Sequence, residues 1–383
     1  MSTFGIVCEF NPLHNGHKRL IDKARDLGAE CIVCVMSGNA VQRGELAIAD
    51  KYVRAEAAIL CGADLVLELP YPWCAASAEY FSAAGIEILS HFCDSVIFGS
   101  ESGDIDLLTN AAKVAATLKF KQEFLQRSVE GEGAAKAYFS LLERYASSQK
   151  LSSNDLLGIE YIRTAIEKNF NIDFYTIKRE GAGYNDMELR LGQNPSATAI
   201  RQAWNKGMDA SEYIPPEARD VFLNADFSGC EDFFRAVLMY FRLADSKHFD
   251  GIAEIDGGIE NRIISCANKA SSKEEFFDML KTKRYTDAKL RRAMLFCMTG
   301  VRRELLKQSP AYVNLLGANS IGRELLSKTR KNAKINIVTK PADAPQDSEQ
   351  FKVGERLESI FALSFEKGKS TQDWSQKRAF IKS

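Results

Sequence analysis

Two histidines three residues apart, His14 and His17, stand in the run Asn11-Pro12-Leu13-His14-Asn15-Gly16-His17, directly after an apolar stretch from Phe4 to Glu9. Imidazoles at that spacing in the opening turn of a helix share one face, and both can donate to phosphate oxygens. The helix start adds free backbone N–H groups and a partial positive charge. Gly16 carries no side chain, so a nucleotide can approach the backbone closely. Phosphoryl-group chemistry asks little covalent work of a protein; it needs positioning and donors aimed at developing negative charge. Only four histidines occur in the chain, and two of them are here. A plain helix cap, with Asn11 and Asn15 as capping residues, is the alternative reading of the same run.

A second candidate is Ser196-Ala197-Thr198-Ala199-Ile200-Arg201, which follows Pro195 and opens a helix. Hydroxyls and N–H groups at a helix start, with an arginine one turn in, suit a pyrophosphate leaving group; Ser and Thr are also ordinary N-caps. Arg179 follows a strand-like segment and can neutralise a phosphate or stand as a surface charge. Glu9 and Asp50 are acids that either hold Mg²⁺ or order a loop, with capping favoured for Asp50. Gln42-Arg43-Gly44-Glu45 reads as a loop near the reacting group. Nine cysteines, odd in number and mostly within apolar segments, read as reduced core thiols, and the lone Cys31-Ile32-Val33-Cys34 pair lies inside an apparent buried strand.

The elements that must carry these residues alternate. Strand patterns at residues 4–9, 31–36, 64–69 and 95–98 are separated by helical patterns at 17–27, 50–61 and 76–90, and another strand pattern covers 172–177. Short apolar strands separated by helices predict an α/β fold with a parallel, doubly wound sheet. Ligands of such sheets sit at the carboxyl ends of the strands. Beyond about residue 224 the periodicity is almost entirely helical, at 231–245, 260–268, 273–281, 286–299 and 301–307. Two units are expected: a nucleotide-binding catalytic unit over 1–228 and a helical unit over 229–383.

Charge is unevenly spread. Residues 281–340 hold 15 Lys or Arg against three acids, a balance of +12 in a chain whose net charge is −1. Lys283, Arg284, Lys289, Arg291 and Arg292 within it are candidate RNA phosphate contacts, with Tyr285 placed to stack on an unpaired base. A solvated basic face is the plainer alternative. No apolar run approaches the roughly 18–20 residues that span a bilayer, and the first residues lack a cleavable leader pattern, so a cytoplasmic protein is expected.

The longer string Val7-Cys8-Glu9-Phe10-Asn11-Pro12-Leu13-His14-Asn15-Gly16-His17 resembles the HxGH nucleotidyltransferases, and among them the bacterial tRNA(Met) cytidine acetate ligases. Further matching runs are Met36-Ser37-Gly38, Gln42 to Glu45, Asp64 to Tyr71, Phe98-Gly99-Ser100-Glu101, Ser153-Asn154-Asp155, Ile177 to Tyr184 and Ser196 to Arg201. A looser match extends through Lys283 to Thr286 and Lys289 to Arg292. The resemblance implies a Rossmann-like HxGH nucleotidyltransferase sheet followed by a mainly α-helical, basic tRNA-binding domain. It implies activation of acetate by ATP, with Mg²⁺ expected, to acetyl-adenylate, and transfer to N4 of the wobble cytidine of elongator tRNA(Met). ATP would be held by Val7, Cys8, Glu9, Phe10, Asn11, Pro12, Leu13, His14, Asn15, Gly16, His17, Gly99, Asn154, Arg179, Glu180, Ser196 and Thr198, with His14, His17 and Arg201 as the catalytic set. Leu13 stands where the family commonly has Phe, and Cys8 lies within the strand; neither removes a polar contact. Two other functions fit parts of the pattern: a small-molecule adenylyltransferase, and a nucleotide- and RNA-binding factor without turnover.

Overall fold

The computed structural model describes residues 1–129, 134–145, 151–179, 195–282, 284–329, 335–370 and 377–382. Two of the candidate site residues, Glu180 and Lys283, lie outside the described residues, as does the 181–184 run.

Strand β1 (Thr3–Cys8) sits centrally in a sheet with β2 (Cys31–Ser37), β5 (Leu65–Leu69), β6 (Ser95–Ser100) and β7 (Asp173–Lys178), all paired in parallel; β3 (Ala40–Val41) and β4 (Glu45–Leu46) form a separate antiparallel hairpin. Helices α1 (Asn15–Asp26), α2 (Lys51–Leu60) and α3 (Ala78–Leu89) are the crossovers. Every residue of β2 is buried, with Cys31, Val33 and Val35 in one apolar cluster and Ile32, Cys34 and Met36 in the other. That alternation is how a strand covered by helices on both faces is built. It also sends Cys31 and Cys34 to opposite faces, as packing thiols.

The chain beyond 228 is not wholly helical. The run Tyr312–Ala318 forms β8, which returns to the sheet and pairs antiparallel with β5, Val66 opposite Gly317. β9 (Asn336–Val338) and β10 (Phe380–Ile381) pair parallel with β8, giving the path β10-β8-β5-β2-β1-β6-β7. A seven-residue apolar run carries no periodicity that separates strand from helix, so the sequence reading missed it. The helices expected near 231–245, 260–268, 273–281 and 286–299 form as Glu231–Leu243, Ile259–Lys269, Lys273–Leu280 and Asp287–Thr299.

A buried ionic cluster fastens the returning segment. Lys51, 5% exposed, places Nζ 3.0 Å from Glu68 on β5 and 2.8 Å from Glu358 on the helix Glu349–Leu363. Asn314 of β8 donates to the same Glu68, and Asn39 to Glu358. Every charge in the cluster has hydrogen-bonding partners, the condition under which buried ions are tolerated.

Candidate functional site

The site begins where β1 ends. Phe10 adopts φ +45, a left-handed conformation that is an outlier for a bulky residue and costs about 1–3 kcal/mol. Its ring is fully buried and packs edge-on against His17 at 5.0 Å. The tight reversal brings His14 to the N-cap of α1.

His14 itself does the capping. Its Nδ1 accepts the Gly16 N–H at 3.1 Å, and Nδ1 of His17 accepts the His14 N–H at 3.3 Å, a reciprocal box normally built from Ser and Glu. The rings lie 3.9 Å apart, centroid to centroid. Asn15, expected as a possible cap, instead donates to the Glu212 carbonyl, while Asn11 accepts the Ile48 N–H at 2.7 Å. At Gly16 a Cβ would stand 2.9 Å from the His14 ring, so glycine also makes room for the imidazole.

With both Nδ1 atoms accepting, the neutral tautomer carries its proton on Nε2. Burial, then the nearby Arg179 guanidinium, pushes the His14 pKa down to about 3; burial, His14 and Arg179 hold His17 well below its ordinary value. The pair is therefore two neutral N–H donors.

These donors open on a cleft of about 1060 Å³ at the carboxyl ends of the strands. Val7, Cys8, Glu9, Phe10, Asn11, His14, His17, Gly99, Asn154, Arg179, Ser196, Thr198 and Arg201 all line it, so residues spread over nearly 200 positions converge on one space. Pro12, Leu13, Asn15 and Gly16 are not among the lining residues; Leu13 is fully buried in the core beneath. Ser196 caps the helix Ala197–Asn205 by accepting the Ala199 N–H at 3.1 Å. One turn on, Arg201 donates to the Asn11 carbonyl at 2.8 Å and to Thr198 Oγ1 at 3.3 Å. Gly99 leaves space for Arg179, whose Cγ would stand 3.2 Å from a Cβ there. Asn154 is oriented by Glu101, which takes its amide N–H at 2.6 Å. Burial raises the Glu9 carboxyl, and the Gln42 N–H donates to it at 2.9 Å.

Apart from Phe98, which lies in the run Phe98-Gly99-Ser100-Glu101, the apolar lining residues carried no sequence signal. Leu20, Phe81, Phe98, Leu157 and Tyr161 give the cleft an apolar wall, with Phe98 and Tyr161 packed edge-to-face at 5.7 Å. Arg54 is completely buried and donates only to backbone carbonyls, those of Glu9 (2.7 Å), Ser37 (3.1 Å), Ala49 (3.0 Å) and Gly38. It knits the β1 and β2 ends to the start of α2. Nothing in a helical run marks such an arginine in advance. Asp50 caps α2 through the Tyr52 N–H and pairs with Lys377 at 2.6 Å.

The basic segment is partly committed to internal contacts. Arg292 pairs with Glu254 at 2.7 Å and is 12% exposed, and Arg291 binds Glu45 of the β3–β4 hairpin. Lys289 pairs with Asp256 at 2.6 Å, and Lys289 and Arg284 both lie 5.2 Å from the Tyr285 ring centre. Arg284 is exposed; Lys289 and Arg291 are partly open, at 24% and 31% exposure, and Arg292 is drawn inward.

The profile of the HIGH Nucleotidyl Transferase family matches residues 1–377. A tRNA(Met) cytidine acetate ligase of Clostridium perfringens is 34% identical over 370 residues, covering 91% of this chain and 92% of that protein. Its counterpart from Thermotoga maritima is 36% identical over 361 residues, covering 86% and 85%. Crystal structures of Thermotoga maritima TmcAL superpose over the full length of both chains, the apo form with TM-score 0.90 at 31% identity and the form bound with alpha-thio ATP with TM-score 0.87 at 30%. Among the described residues no helix is long and apolar enough to cross a membrane.

Proposed function

The chain belongs to the HIGH nucleotidyltransferase family and, within it, to the tRNA(Met) cytidine acetate ligases, and from that membership and the geometry of the cleft we infer that it ligates acetate to the wobble cytidine of elongator tRNA(Met) at the expense of ATP. It is an ATP-using ligase that modifies tRNA. The observation that carries the mechanism is the reciprocal cap of His14 and His17, which occupies both Nδ1 atoms and leaves two neutral Nε2–H donors on residues that line the cleft.

Acetate is already anionic near neutral pH, so the first step needs no general base. Its oxygen attacks the α-phosphorus, acetyl-adenylate forms, and pyrophosphate leaves. His14 and His17 donate to the non-bridging oxygens as charge grows there. Ser196, Thr198 and Arg201 receive the pyrophosphate portion at a helix N-terminus. The cytidine N4 amine then attacks the acetyl carbon, the bond from that carbon to the phosphate oxygen breaks, and AMP and the amine proton are released. The apolar wall of Leu20, Phe81, Phe98, Leu157 and Tyr161 gives the adenine base a surface.

Among the described residues no cluster of three or more metal-ligating side chains occurs. Mg²⁺, expected with ATP, is held mainly by substrate phosphates and one or two carboxylates. Of the two carboxylates that line the cleft, Glu9 and Glu45, Glu45 is engaged by Arg201 and Arg291, so Glu9 is the one that would hold it, and the ion when bound would neutralise charge on the leaving phosphates.

Residues 1–228 are read as the ATP unit and 229–383 as the tRNA-binding unit, sewn together by β8. Arg284, Lys289 and Arg291 are the exposed or partly open cations that would meet RNA phosphates. The cytoplasm, where tRNA(Met) resides, is the setting. The test is to supply ATP, labelled acetate and tRNA(Met), and to follow pyrophosphate and label in RNA. Both products, each dependent on acetate, are expected. Pyrophosphate released with a phosphorylated metabolite in place of acetate, or no turnover, overturns the reading.

A further inference from the structure

Glu45 stands at the seam between the cleft and the basic helix. It lines the cleft and is divided between two arginines: one oxygen lies 3.4 Å from Nη2 of Arg201, and the other accepts from Nη1 of Arg291 in the helix Asp287–Thr299. All three side chains are partly open, at 30%, 17% and 31% exposure, so ligands can reach them. Within this triad two cations face one anion, while Glu9, a second carboxylate, and Arg43, a third cation, lie within electrostatic reach.

The neighbouring glycine fixes this arrangement. Gly44, at φ +72, lies so close to the helix that a Cβ would stand 2.3 Å from the Arg292 nitrogen and 2.6 Å from the Arg291 carbonyl carbon. The turn of the hairpin is thus seated on the helix backbone. Glu45 stays within reach of both arginines, and what can change is how its charge is divided.

Two anions compete for these arginines: a polyphosphate at Arg201 and an RNA backbone phosphate at Arg291. We propose that Glu45 is a shared counter-ion through which tRNA docking loosens the hold on pyrophosphate. A backbone phosphate that takes Arg291 hands the carboxylate to Arg201. Arg201 then has less positive field to offer the leaving group. Pyrophosphate departs when RNA arrives, so the adenylate is not turned back into ATP. By linkage, polyphosphate weakens RNA binding by the same factor. Glu45 touches no reacting atom in this scheme and is a positioning residue. The inference rests on the reading that Arg201 faces the polyphosphate and that the 287–299 helix faces RNA.

The test measures the Kd of α,β-methylene-ATP with and without tRNA(Met). In the native protein, tRNA should raise that Kd by about 5- to 20-fold, within the usual span of coupling between sites. Glu45→Gln should lower the Kd without tRNA and abolish the tRNA effect. Arg291→Ala leaves the carboxylate only Arg201, so it should raise the Kd without tRNA, and Arg291→Lys should restore it. Opposite signs from two neighbouring substitutions are not the mark of a merely structural contact. Shifts in the same direction, or a tRNA effect that survives in Glu45→Gln, overturn the proposal. Arg201→Ala separates the layers: if it leaves the Kd unchanged, the reading of the cleft fails and the coupling with it. If it weakens binding while the opposite signs are missing, the coupling alone fails. Should a neutral variant not fold, Glu45→Asp, which shortens the reach, must lower the Kd in the same sense.

Discussion

His14 and His17 divide two jobs between the two nitrogens of each ring: Nδ1 closes the first turn of α1, which leaves Nε2 for the cleft that both residues line. Capping and phosphate donation, two alternative readings of the motif, are therefore the same arrangement seen from opposite sides of the imidazole.

That division can be separated experimentally. Asn is among the best N-caps and can accept the Gly16 N–H, but it offers no donor at the distance of Nε2. His14→Asn should leave thermal stability nearly unchanged while acetate-dependent ATP–pyrophosphate exchange falls by about 10²-fold or more, as for loss of one charge-stabilising donor. A matched fall in melting temperature would assign the residue to folding alone.

The low His14 pKa has a definite sign. The native state holds the ring neutral down to about 3, whereas the unfolded chain protonates it near its ordinary value of 6.5. Its contribution to stability is complete above about pH 6.5 and is lost as pH falls toward 3. Denaturant midpoints at pH 7 and pH 5 should differ less for His14→Asn than for the native protein. An equal difference would place the acid sensitivity elsewhere.

Lys51→Met removes the cation from between Glu68 and Glu358 and leaves both carboxylates buried. Breaking a buried ionic group from one side costs about 3–5 kcal/mol, so urea unfolding should shift strongly. Because the cluster ties β5 to the helix Glu349–Leu363, protease cleavage beyond residue 340 should rise in parallel.

The cations of the basic segment should fall into two classes. Arg284→Ala and Lys289→Ala should each reduce the salt dependence of tRNA binding by about one unit of slope, uniformly for RNAs of different sequence. Arg292 is spent on Glu254 behind the surface, so Arg292→Ala should lower stability and leave that slope alone. Filter binding across a salt series, with melting curves alongside, checks both.

Much of this molecule could be read from the chain because its signals are local. β1, β2, β5, β6 and β7 fall within one or two residues of the expected strands, since each is a short apolar run bounded by a helix of clear period. That the residues at those strand ends line one cleft agrees with the rule that strand carboxyl ends meet at the ligand site, although Gly99 and Asn154 were expected only from the resemblance. What escaped was long-range. Arg54 looks like any helical arginine until four carbonyls close round it. Glu45 carries no local mark of its two arginines, one more than 150 positions away and the other nearly 250. The internal partners of Arg291 and Arg292, read as candidate RNA phosphate contacts, escaped for the same reason: net charge along a segment does not reveal which acids fold back onto it.

The antiparallel return of β8 bears on how the protein is made. Until Ala318 has left the ribosome, the nascent chain holds β5 with its outer ladder unpaired, flanked by apolar residues on both faces. A fragment ending near residue 228 keeps that bare edge permanently, inviting strands of other molecules to dock there. Expressed alone, such a fragment should accumulate as aggregate, and the two halves supplied as separate polypeptides should recover solubility only when the second carries residues 312–318.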